Sequence, residues 1–91
     1  MVERQLTIPN RLGLHARPAA KLVHLASAFD SDVFLRIGDD EVDAKSILGV
    51  LQLGAAQGTH LEVVCDGEDE DSALQAMSEL IDSGFGEMDE G

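Results

Sequence analysis

Pro18 narrows what this chain can build more than any other residue. It has no N–H, and its ring holds φ near the helical value, so a helix accepts it without penalty only in the first turn. Ala19 and Ala20, both strong helix formers, follow it. The spacing predicts a helix that starts within a residue or two of Arg17. Upstream, Val2, Leu6 and Ile8 alternate with Glu3, Gln5 and Thr7, the period of a half-buried strand. Pro9-Asn10-Arg11 breaks that strand. The chain therefore turns from strand to helix through Leu12, Gly13 and Leu14, and His15 stands at the helix entrance.

No Ser, Thr, Asp or Asn stands immediately before this start to cap it. The first backbone amides of a helix have no intrahelical partner. Left uncapped, and combined with the positive end of the helix dipole, they form an anion site that suits phosphate. Arg17 adds a cation with a fork of donors. His15 adds a nitrogen nucleophile, of the side-chain type that changes protonation near neutral pH. Together they make one chemical expectation: the His15 imidazole takes a phosphoryl group, and the backbone of Ala16 and Arg17 with the Arg17 side chain holds its oxygens. On the residues alone, a plainer reading stays open, in which His15 is a solvated or capping histidine.

The remaining chain alternates short strands and helices. The first helix is expected from Ala16 to about Ser27, with Ala19, Leu22, Val23 and Ala26 facing the core and Phe29 closing it. Val33 to Ile37 reads as a strand, Gly38-Asp39 as a two-residue hairpin turn, and Glu41 to Ala44 as a short acidic edge strand. Ser46 is a good N-cap for a helix from Ile47 to about Leu53. Ile47, Leu48, Leu51 and Leu53 are more apolar than one buried face of so short a helix needs, so some are expected on the surface, where an apolar patch marks a partner site. His60 to Asp66 is a fourth strand, with Leu61, Val63 and Cys65 on one face and His60, Glu62 and Val64 on the other. A last helix runs from about Asp69 or Asp71 to Ser83, its apolar stripe Ala73, Leu74, Met77, Leu80 and Ile81, with Gly84 past its end and Phe85 packing back. The domain is expected over 1–85, and 86–91 as an acidic disordered tail.

The order β-α-β-β-α-β-α, with period-2 strands, predicts an α+β fold in which helices cover one face of an antiparallel sheet. Ninety-one residues allow one domain. The net charge is −12, unevenly spread: residues 66–91 hold ten acids and no Lys or Arg. This argues against nucleic acid and against anionic membrane surfaces. No apolar run approaches the roughly 20 residues a membrane span needs, and no secretory signal is expected from Met1-Val2-Glu3-Arg4-Gln5. Cys65 is the single cysteine and reads as a buried apolar residue; a cytoplasmic location fits. His15, His24, His60 and Cys65 lack metal-ligand spacing, so no metal is expected.

Gly13-Leu14-His15-Ala16-Arg17-Pro18-Ala19 resembles the active-site signature of the HPr family, the histidine phosphocarriers of the phosphoenolpyruvate-dependent phosphotransferase system. Lys45-Ser46-Ile47-Leu48-Gly49-Val50-Leu51 resembles that family's second signature, around its regulatory serine, and both fall at the family's spacing. Leu35-Arg36 and Asp82-Ser83-Gly84-Phe85 look most like NPr, the nitrogen-related branch, whereas Lys45-Ser46-Ile47 is commoner in kinase-regulated sugar-branch carriers. The resemblance implies a four-stranded open-faced sandwich with strands ordered first, fourth, second, third. It implies that enzyme I phosphorylates Nδ1 of His15, that Arg17 steadies the phosphate, and that the group passes to an enzyme IIA protein. The chain would then be a monomeric stoichiometric carrier rather than an enzyme, needing no cofactor. Ala20, Ile47, Leu48 and Leu51 would form the partner surface. As an alternative role, phosphorylation of Ser46 by an HPr kinase/phosphorylase would make the chain a regulatory binding module.

Overall fold

The computed structural model describes residues 1–86. Four strands and three helices follow in order: β1 (Val2–Thr7), α1 (Ala16–Ala26), β2 (Asp32–Ile37), β3 (Asp40–Asp43), α2 (Ile47–Leu53), β4 (His60–Asp66) and α3 (Glu70–Asp82). A 3-10 turn, Gly84–Gly86, follows α3. The strands form one antiparallel sheet in the order β1-β4-β2-β3, as the resemblance implied.

Register explains which side is buried. Leu35 pairs with Val63 on one side and Val42 on the other, and Cys65 lies between Val2 and Val33. With side chains alternating across a strand, these residues share one face. The helices cover it with Leu22, Val50, Met77 and Ile81, and Phe85 completes the core. The opposite face carries a polar row, Gln5, Glu62, Arg36 and Glu41, paired in register across all four strands. In it Arg36 bonds Glu41 at 3.1 Å and Glu62 at 2.7 Å; the Glu41 hydrogen bond first, and then the charges of Glu41 and Glu62, hold its guanidinium pKa above the ordinary value.

Most sequence boundaries agree within a residue, and the differences have local causes. β1 stops at Thr7 because Ile8 leaves the ladder to bond Thr59 O at 3.0 Å, while its side chain stays buried. β3 is displaced by one residue: Ala44 lies beyond it, buried, with its N–H on Val33 O at 2.8 Å. Val64 shares the polar face with His60 and Glu62, as expected, yet it is buried, flanked in register by Glu3 and Phe34. Val23, Phe29 and Leu80 are only half-buried. Gly86, expected to begin the tail, belongs to the 3-10 turn; the rest of that expectation, 87–91, lies outside the described residues.

Candidate functional site

The approach to His15 is built from two loops laced together. Beyond β1, Gly58 N–H donates to Ile8 O at 2.8 Å and Gln57 Nε2 to Pro9 O at 3.1 Å. Gly13 N–H then donates to Asn10 O at 3.1 Å, and Asn10 Nδ2 to Gly13 O at 2.9 Å, closing a tight turn. Gly13 has φ +65°, and a Cβ there would stand 2.3 Å from Ala55 O. Only glycine meets both conditions without strain. Leu14 N–H donates to that same Ala55 oxygen at 2.8 Å, and the Leu14 side chain enters the core. Leu12, in this loop, stays 65% exposed, an apolar surface residue the sequence reading passed over.

His15 is the N-cap of α1, in extended conformation at φ −81° and ψ −173°, and half-buried. Its side chain does not cap the helix, and no acid stands in the first turn. Ala19 N–H to His15 O, at 3.0 Å, is the first intrahelical bond. The amides of Ala16 and Arg17 precede it and have no acceptor inside the helix, and Pro18 has none to offer. Arg17 is exposed on this turn. The start of α1 thus carries a histidine, an exposed arginine and two backbone amides without an intrahelical acceptor, the parts an anion site requires.

α2 packs beside α1. Ser46 caps it, its Oγ accepting from Gly49 N–H at 3.2 Å. Ile47 is 39%, Leu48 70% and Leu51 39% exposed, and Ala20 is exposed on α1. The expected apolar surplus of α2 therefore does lie on the surface. Leu53 is half-buried.

The other candidate groups stand elsewhere. His24 is exposed in the last turn of α1. His60 lies on β4, with Nδ1 3.0 Å from Thr7 Oγ1. Cys65 is buried on the core face, and burial pushes its thiol pKa up. Among the described residues no group of three or more His, Cys, Asp or Glu is placed to hold a metal, and no helix is long and apolar enough to cross a membrane.

A family model for the phosphotransferase system (PTS) HPr component phosphorylation site matches residues 2–83. The chain belongs to the HPr family. The HPr of Xylella fastidiosa (strain Temecula1) is 53% identical to it over 87 residues, covering 96% of this chain and 98% of that protein. The phosphocarrier protein NPr of Shewanella violacea is 44% identical over 86 residues, 94% of each chain. Among solved structures, HPr-C-His from Thermoanaerobacter tengcongensis superimposes with a TM-score of 0.92 at 43% identity, covering 94% of this chain and 97% of that one. This HPr-family chain is a phosphocarrier of the phosphotransferase system. Family membership favours the carrier role over the regulatory-module alternative.

Proposed function

We propose that His15 is the phosphoryl acceptor, that enzyme I is the donor, and that an enzyme IIA protein receives the group. One observation carries this: a half-exposed imidazole stands at a helix start whose amides at Ala16 and Arg17 have no intrahelical acceptor and whose first turn holds no acid. In the forward step, the lone pair of His15 Nδ1 attacks phosphorus. The new N–P bond forms as the bond to the donor's phosphorylated side chain breaks, and that side chain leaves with the electron pair. The Arg17 side chain and the Ala16 and Arg17 amides stabilise charge on the phosphoryl oxygens in flight. The second step repeats the exchange with His15 as leaving group. A carrier used once in each direction is stoichiometric and not itself a turnover catalyst.

An open site fits transfer between two proteins, since both reacting groups must meet at a surface. Ala20, Ile47, Leu48 and Leu51 serve as the docking surface in this reading, the chain acts as a monomer, and its place is the cytoplasm. Ser46 is a second modification site in the same reading: it is exposed and adjoins the docking surface. Labelling with phosphoenolpyruvate and enzyme I tests the acceptor. The His15→Ala variant is expected to take no label, and equal labelling of that variant would exclude His15.

A further inference from the structure

One peptide plane ahead of His15 is gripped from both ends. Its carbonyl, that of Gly13, accepts from Asn10 Nδ2 at 2.9 Å. Its N–H, that of Leu14, donates to Ala55 O at 2.8 Å. Between this plane and the next, which ends on the His15 Cα, lie only the two backbone torsions of Leu14. Leu14 is itself 4% exposed and packed in the core. Asn10 is 1% exposed, so the donor end of the grip is shielded from competing water.

We propose that Asn10 is a positioning residue for phosphoryl transfer, fixing the orientation of the Gly13–Leu14 peptide and through it the direction of the His15 ring. This rests on His15 being the acceptor. Asn10 does not touch the phosphoryl group. It acts by keeping the imidazole nitrogen in line with the donor and in register with the Ala16 and Arg17 amides. Removing its donor leaves the Gly13 carbonyl unsatisfied in a buried position, and the plane gains freedom to rotate. Misplacement of a reacting group by about 1 Å costs as much as a hundredfold in rate. The docking surface on α2 is untouched, so the loss falls on kcat and not on KM.

The test compares native, Asn10→Ala and Asn10→Asp proteins as acceptors from phosphoenolpyruvate and enzyme I, below their melting temperatures. The site of label in the native protein is mapped first; label on any other residue overturns the His15 assignment and the positioning role with it. With label on His15, Asn10→Ala is expected to lower kcat about tenfold or more, with KM within about twofold. A native kcat in the folded variant overturns the positioning role alone. Asn10→Asp supplies an independent readout. Its ionised carboxylate has no proton to donate and repels the Gly13 oxygen, whereas its protonated form donates. The Asn10→Asp rate divided by the native rate is therefore expected to rise as pH is lowered. A pH-independent ratio overturns the proposal even if Asn10→Ala fails to fold.

Discussion

Gly13 shows how much of the site rests on single residues that do no chemistry. Its φ of +65° costs any residue with a Cβ about 1–2 kcal/mol, and the added atom would stand 2.3 Å from Ala55 O. Gly13→Ala is expected to lower the urea midpoint by more than the backbone cost alone. It should also slow phosphoryl acceptance, because relief comes only by parting the Leu14–Ala55 bond. A native midpoint together with a native transfer rate would contradict this account. The positions of His15 and Ser46 as N-caps and of Arg17 on the first turn of α1 were legible in the sequence, because each obeys a rule of a few neighbouring residues: a proline-marked helix start, an adjacent cation, a hydroxyl before an apolar run. The close approach at Gly13 was not, since it depends on Ala55 from far along the chain; nor was the proposed positioning role of Asn10, whose bond to the Gly13 carbonyl is local but matters because Ala55 holds the other end of the same peptide.

Among the elements, α2 is the most locally specified. Ser46 caps its start and Gly54, at φ +58°, ends it in the left-handed conformation. Ser46→Ala is expected to cost about 1 kcal/mol in chemical denaturation, while Ser46→Asp keeps a capping oxygen and most of the stability. After incubation with a cognate HPr kinase, the native protein should gain one phosphate by mass spectrometry and Ser46→Ala none; equal gain would remove Ser46 as the site. Alternation and caps placed nearly every element, because those signals are written within each segment. They did not foresee that Val64 would be covered on the polar face, which depends on its strand neighbours. Nor did they foresee that Phe85 would adopt φ +58°. That conformation costs a non-glycine residue stability. It is offset by complete burial of the ring and by Lys21 Nζ, which bonds the Phe85 carbonyl at 2.7 Å.

At the scale of the whole molecule, the strand end opposite the His15 loop is tied by Asp69, the N-cap of α3. Its carboxylate accepts from the Ser31 hydroxyl and from the Asp30 and Ser31 amides, each amide bond 2.9 Å long. The Ser31 hydroxyl, followed by the Asp30 amide, holds the Asp69 pKa below its ordinary value; the Gly67 amide does the same for Glu70. Folded-state values below the unfolded ones mean that the unfolded chain binds protons first. Their stabilisation is therefore full above the ordinary carboxylate range, about pH 4, and is lost as pH falls through the depressed values. Asp69→Asn is expected to flatten the acid side of the stability-pH curve, and an unchanged slope would contradict the assignment. At the other end, the strap that carries the imidazole is stitched to the chain just leaving α2, so grip and chemistry share one rim on the reading proposed above. On that same reading, a loaded donor seated on the rim would have to depart before a recipient could arrive, and traffic through the carrier would be single-file.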